Sequence, residues 1–280
     1  MRTAGSSPAT SEPNSETGPP LRTPWAFDHS GDWAHSVGGR YWSPVRDRRA
    51  TGRARNDIGQ YDDLRHEWDK PHGAFAALHW LAVSRRSLIP ATIGPSDIVV
   101  DLGCGGGLTY DGAGSYVHVG IDLVTSALQT ARARGVVVVQ GDVAVIPLAD
   151  QCASVVVAGE ILEHVSDVGS VVSEICRVLR PGGTVVIDTL SEGKFATFAL
   201  VTIAERLPGG PPRGIHDPHL FIDAERLQRL FADHGVELRV WGLRPSVIDY
   251  ARFLADRTRP VRMVRTGSTA LVYQGVGTSR

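Results

Sequence analysis

From about residue 57 the chain alternates between two apolar patterns. Short unbroken apolar runs occur in DIVVDLGCGGG (97–107), YVHVGID (116–122), VVVVQGD (136–142), SVVVAGE (154–160), GTVVIDTL (183–190), VELRVWGL (236–243) and TALVYQGVG (269–277). Between most of them lie stretches such as SALQTARARG, VGSVVSEICRVLRPGG and AERLQRLFADHG, whose apolar residues recur at three- and four-residue spacing. QYDDLRHEWD and AFAALHWLAVSRRSLI, before the first run, have the same helical spacing. Strands alternating with helices predict an α/β fold with a mostly parallel, doubly wound sheet of about seven strands. Unbroken rather than alternating apolar strands predict that both sheet faces are covered.

The first 55 residues do not follow this pattern. Residues 1–24 are rich in Ser, Thr, Pro and Gly and are expected to be a disordered tail. Residues 25–55 combine Trp25, Trp33, Tyr41 and Trp42 with the basic run RDRRATGRAR. Such a segment either contacts nucleic acid or lipid or lies solvated along the main domain, and the second reading is preferred. Residues 56–280 then form the main domain, with leading helices over 56–95 and an insertion over 191–222.

A net charge of −1 argues against a partner chosen by bulk charge, so no nucleic acid is expected. Cys104, Cys152 and Cys176 are scattered and form no C-x-x-C pair, as suits a reducing cytoplasm. No run resembles a signal peptide or approaches the ~20 apolar residues of a membrane span, and a cytoplasmic protein is expected.

In a doubly wound sheet, ligands bind beyond the carboxyl ends of the strands, and this is where the chain concentrates its unusual residues. The first strand ends in D-x-G-x-G-x-G, formed by Asp101, Gly103, Cys104, Gly105 and Gly107. The glycines let backbone approach a ligand closely. Asp122 follows 21 residues after Asp101, at the end of the second strand, where a carboxylate can accept both hydroxyls of a ribose. Asp142 ends the third strand, where an adenine edge would lie. Leu108 replaces the last glycine of a G-x-G-x-x-G fingerprint, and no G-x-x-x-x-G-K-[ST] loop is present, which disfavours nicotinamide cofactors and nucleoside triphosphates.

D-x-G-x-G-x-G resembles the first motif of class I S-adenosylmethionine-dependent methyltransferases. RVLRPGGTVVI is similar to that family's turn into the fifth strand, and the resemblance implies a Rossmann-like sheet ending in a reversed hairpin. The leading segment YDDLRHEWDKPHGAFAALHWLAVSRRSLI, the segment GEILEHVSD (159–167) and the loop GIHDPHLFI (214–222) resemble more closely the ubiquinone-biosynthesis (UbiG-like) O-methyltransferases. The resemblance implies S-adenosylmethionine as cofactor, with Arg85 at its carboxylate and Leu123, Val143 and Gly159 beside the acids and glycines already named. It also implies a divalent cation, usually magnesium, on Glu160, Glu163 and His164. Two departures stand out. LTYDGAGSYVHVGID is short and contains Gly112 and Gly114, so the first crossover helix is expected to be truncated or frayed. Residues 1–55 have no counterpart in the family pattern.

The resemblance further implies methyl transfer to a hydroxyl of a small-molecule acceptor, of phenolic, quinone-precursor type. A phenol titrates near ~10, so a metal or a base must make its oxyanion available. His216 or His219, oriented by Asp217, is the candidate base. A sugar hydroxyl on a mycofactocin-type glycosylated cofactor, a secondary metabolite, and a cofactor-binding scaffold without turnover remain open. The stretch KFATFALVTIAERLPGGPP (194–212) is apolar on nearly every side. It reads as a buried helix or lid, or as a peripheral membrane face. The oligomeric state has no signature in the chain.

Overall fold

The computed structural model describes residues 53–280, which lie within one compact unit. The expected tail over 1–24 and most of the 25–55 extension fall outside the described residues. The sheet has eight strands: β1 (Ile98–Leu102), β2 (Val117–Asp122), β3 (Val137–Gln140), β4 (Ala153–Gly159), β5 (Leu179–Leu190), β6 (Val236–Pro245), β7 (Met263–Thr266) and β8 (Val272–Ser279). Their order is β3-β2-β1-β4-β5-β8-β6-β7, and β1 to β5 run parallel. β8 lies antiparallel to both β5 and β6.

The unbroken apolar runs are explained by burial on two sides. All seven residues of β4 are buried. Val100, Leu102, Val156 and Ala158 join one core with α4 (Val168–Val178) and α6 (Ala224–Asp233). Val99, Val155 and Val157 point the other way and pack with Leu88, Ile89 and Ile93. Alternate residues of one strand therefore serve two different cores, as the pleat requires. In α4 the buried residues Val168, Val171, Val172, Ile175 and Val178 form one stripe at helical spacing. Its first turn is capped by Asp167, which accepts the Ser170 N–H.

Two details differ from the sequence reading, and a third goes as expected. The helix expected over 168–183 ends at Val178, because Arg180 precedes Pro181 and is biased toward extended backbone. The reversed pair β6 and β8 is not joined by a tight turn: α7 (Val247–Ala255) and edge strand β7 intervene. Neither element has a readable stripe, since Val247, Ile248 and Leu254 of α7 are exposed and β7 has only four residues. Between β1 and β2 the chain makes turns only, so the expected truncation of the first crossover helix is complete, and α3 (Thr125–Ala133) follows β2.

The leading segment forms α1 (Gly59–Asp63), a 3₁₀ turn (Arg65–Glu67) and α2 (Ala76–Arg86). Trp68 and Phe75 of this segment are buried with Leu108, Val124 and Ala127, at the carboxyl edge of the sheet. The insertion after β5 starts as α5 (Lys194–Ala196), passes into a π-helical stretch (Thr197–Ile203) and ends in a 3₁₀ turn (Ala204–Arg206). Phe195 and Phe198 are 65% and 57% exposed, which overturns the buried-helix reading of this stretch.

Candidate active site

The loop after β1 is shaped by backbone conformation. Gly103, Gly105 and Gly107 have φ of 62°, 50° and 76°, the left-handed region that a side chain would strain. Asp122 holds this loop in place. Its Oδ2 accepts the Gly105 N–H at 2.8 Å and its Oδ1 accepts the Val124 N–H at 2.8 Å. Each oxygen retains lone-pair capacity for a further donor. Burial pushes its pKa upward. Trp68 covers the loop so closely that a Cβ on Gly105 or Gly106 would lie 2.3 or 2.7 Å from the indole. Asp101 pairs with His118 at 3.3 Å, both buried beneath the loop. Asp142 accepts the Ala144 N–H at 2.9 Å, and the adjacent Val143 is buried.

Arg85 reaches the same edge from α2. Its Nε and one Nη donate to Asp188 at 2.8 and 2.6 Å, and the other Nη donates to Thr109 Oγ1 at 3.1 Å. Two N–H groups of the fork remain for a ligand. The guanidinium lies against Gly159, where an added Cβ would stand 1.9 Å from Arg85 Cζ. Gly159 is thus required by the arginine as much as by any ligand.

A cavity of about 520 Å³ joins these parts. Arg85, Asp101, Gly103, Cys104, Gly105, Asp122, Leu123, Asp142, Val143, Gly159 and Glu160 all line it, as do the apolar Leu190, Leu200, Leu207, Ile215, Tyr250 and Met263. Gly107 does not: it packs the loop on α3, with a Cβ there 3.1 Å from Ala131. The Cys104 thiol is buried and held well above its ordinary pKa by desolvation, so it serves as wall and not as nucleophile.

Glu160, His164 and His216 line this cavity, and Glu163 is fully buried beside them without lining it. Glu160 follows β4 with φ of 53°, a strained conformation for a residue with a Cβ. Glu163 is fully buried and accepts the Thr189 hydroxyl at 2.7 Å. One oxygen of each carboxyl, Glu160 Oε1 and Glu163 Oε1, is buried without a donor among the described residues. Burial raises both pKa values, and the neighbouring Glu163 charge raises that of Glu160 further. The rings of His164 and His216 stack with centroids 5.4 Å apart. His164 Nδ1 lies 2.6 Å from Asn56 Oδ1, and its Nε2 lies 3.2 Å from the Tyr61 hydroxyl. Burial pushes His164 down to about 4, and lowers His216 further below its usual value with help from His164 and Arg55. Both imidazoles are therefore neutral at pH 7.

Ligand atoms of Glu163, His164 and His216 all lie within 4.8 Å of one another. The expected trio was Glu160, Glu163 and His164; His216 takes the place of Glu160, which stays on the cavity wall outside the group. Of the expected His216, Asp217 and His219, only His216 faces the cavity. Asp217 instead caps the turn Pro218–Leu220 by accepting the His219 N–H at 3.1 Å, and that turn leaves His219 exposed. Asn56, Tyr61, Asp188 and Thr189 were not anticipated. Asp188 had the one available signal, an acid inside the apolar run GTVVIDTL.

A family model described as a methyltransferase domain matches residues 100–187. A ubiquinone biosynthesis O-methyltransferase of Cupriavidus pinatubonensis is 34% identical over 193 residues, which cover 65% of this chain and 77% of that protein. Another, from Methylococcus capsulatus, is 35% identical, covering 65% of this chain and 81% of its own length. The chain belongs to this family. It is a class I S-adenosylmethionine-dependent O-methyltransferase, and its cavity lies at the carboxyl edge of the sheet, where doubly wound sheets bind ligands. The fold agrees: a Thermotoga maritima methyltransferase described as a possible histamine N-methyltransferase superposes with a TM-score of 0.56 at 18% identity, covering 79% of this chain and 97% of that one.

Proposed function

We propose that this methyltransferase acts on a phenolic hydroxyl, of catechol type, on an acceptor with a large apolar portion. The observation that carries the proposal is the single cavity shared by the glycine-loop acids, the two imidazoles and the aliphatic side chains of the insertion. A sugar acceptor would need hydrogen-bonding partners where Leu190, Leu200, Leu207, Ile215 and Met263 stand. The two named relatives are ubiquinone biosynthesis enzymes, which supports a quinone-precursor acceptor.

In this reading Asp122 accepts the ribose hydroxyls, Asp142 faces the adenine edge between Leu123 and Val143, and the two spare N–H groups of Arg85 meet the cofactor's carboxylate. The bound cofactor supplies an electrophilic methyl group on its sulfonium. The chain contributes alignment, which alone can supply several kcal/mol, and a means of handling the hydroxyl proton.

Glu163, His164 and His216 fit a divalent cation. Glu163 Oε1 and His216 Nδ1 are buried without partners among the described residues, and both imidazoles are neutral and can present lone pairs. A carboxylate with two imidazoles suits Mn²⁺ or Zn²⁺ as well as Mg²⁺. Such a cation supplies Lewis acidity that brings a phenol's pKa down from ~10 toward neutrality. Phe195 and Phe198 lie exposed on the insertion whose Leu200 and Leu207 line the cavity, so this face touches a lipid surface from which an apolar acceptor is drawn.

The test is incubation of the protein with S-adenosylmethionine and either an alkyl-substituted catechol or a reducing-end-blocked hexose. Mass spectrometry should find the catechol heavier by one methyl on oxygen and the hexose unchanged. Methylation of the sugar alone would overturn the phenol assignment.

A further inference from the structure

The first described turn of the chain, ahead of α1, is tied to three separate parts of the site. Arg55 pairs with the buried Glu205 at 2.9 Å and donates to the His216 carbonyl at 2.7 Å. The Asn56 N–H donates to the Gly214 carbonyl at 3.2 Å. Among the described residues, the Asn56 side chain hydrogen-bonds to His164 alone, and does so twice. Its Nδ2 donates to the His164 carbonyl at 3.1 Å, and its Oδ1 lies 2.6 Å from the ring Nδ1.

This double contact fixes the chemistry of the ring. A backbone carbonyl can only accept, so the amide nitrogen of Asn56 must face it. The amide oxygen then faces Nδ1, and two acceptors would repel at 2.6 Å, so Nδ1 must carry the proton. In a neutral imidazole the lone pair is then on Nε2, 3.2 Å from the Tyr61 hydroxyl, whose O–H must turn away before Nε2 can take another partner. Nε2 is thus the atom His164 can offer to the group containing Glu163 and His216.

We infer that Asn56 is a positioning residue that locks His164 as its Nδ1–H tautomer and keeps the Nε2 lone pair available to the reaction. Its backbone supports the assignment. Asn56 has φ of 58°, a left-handed conformation that asparagine tolerates better than most residues and that aims its amide back at the ring. The geometry is that of an outer partner of a metal-ligating or proton-accepting histidine, which orients the ring through its other nitrogen. The inference rests on the proposed role of His164, but the tautomer itself can be read without turnover.

The test is two-bond ¹H–¹⁵N correlation on the full-length, cation-free and cofactor-free protein, with His164 assigned by comparison with His164→Gln. Wild type should show a protonated Nδ1 and a bare Nε2. Asn56→Leu should lose that pattern and lower kcat about tenfold or more, with cofactor affinity within twofold of wild type. Asn56→Asp, which keeps an acceptor at Nδ1, should restore the tautomer and much of kcat. If Asn56→Leu does not fold, the wild-type and Asn56→Asp spectra decide. An Nε2–H ring in wild type, or an unchanged ring and kcat in Asn56→Leu, would overturn the inference. A correct tautomer with normal turnover in His164→Gln would leave Asn56's hold on the ring intact and overturn the proposed role of His164 instead.

Discussion

At the scale of single residues, the side of the site proposed for the cofactor depends on a charge held by another charge. Arg85 and Asp188 are both buried, and their bidentate pair lies directly over Gly159. Gly159→Ala would place a methyl group inside the guanidinium and force the pair apart. Breaking a buried ion pair costs about 3–5 kcal/mol, so the variant should melt well below wild type and bind S-adenosylmethionine at least roughly tenfold more weakly. Calorimetry and thermal melts check both, and near-normal values for both would show that Arg85 does not serve the cofactor. Asp101, Asp122 and the loop glycines were legible in the sequence because a glycine run directly after an apolar strand marks a turn where backbone can approach a ligand. Asp188 was not, because an acid inside an apolar run reveals neither its partner nor that this partner comes from a helix 103 residues earlier. His219 was misread for a local reason: in GIHDPH both histidines look alike, and only the turn at Pro218 separates the buried one from the exposed one.

At the scale of elements, the core strands and α4 were predictable because burial imposes a period on them. The segments around the acceptor were harder to read because they are built for exposure. α5 and the π-helical stretch present Phe195, Phe198 and Ile203 outward, and α7 presents Val247 and Ile248. These apolar residues, contributed by the insertion and by α7, both of which also line the cavity, broke the rule that an apolar stripe faces inward. If the insertion rests on lipid, wild-type protein should float with vesicles containing anionic lipid. Phe195→Asp combined with Phe198→Asp should abolish flotation while leaving methylation of a short, water-soluble catechol within about twofold. Equal flotation of the double variant and wild type would assign the insertion to a lid alone. No helix of the described residues is long and apolar enough to cross a membrane, so any lipid contact of the insertion is peripheral.

At the scale of the whole molecule, the topology separates two tasks along one sheet edge. In the proposed reading, the loops after β1, β2 and β3 provide the glycines and acids for the cofactor. The turn after β4, the insertion after β5 and the loop before α6 enclose the side proposed for the acceptor. The segment ahead of α1 joins these acceptor-side parts, through Arg55 to Glu205 and the His216 carbonyl and through Asn56 to His164 and Gly214. The central claim is that the buried carboxylate and imidazoles where these regions meet activate the acceptor hydroxyl with a divalent cation, independently of cofactor binding. Its most direct test is methyl transfer to an alkyl catechol before and after exhaustive chelation, with S-adenosylmethionine affinity measured on the same samples. The account predicts that turnover is lost on chelation and returns with Mg²⁺, Mn²⁺ or Zn²⁺, while cofactor affinity stays within twofold throughout. Full turnover in the chelated protein would contradict it, and would leave the neutral His216 as the group that takes the proton.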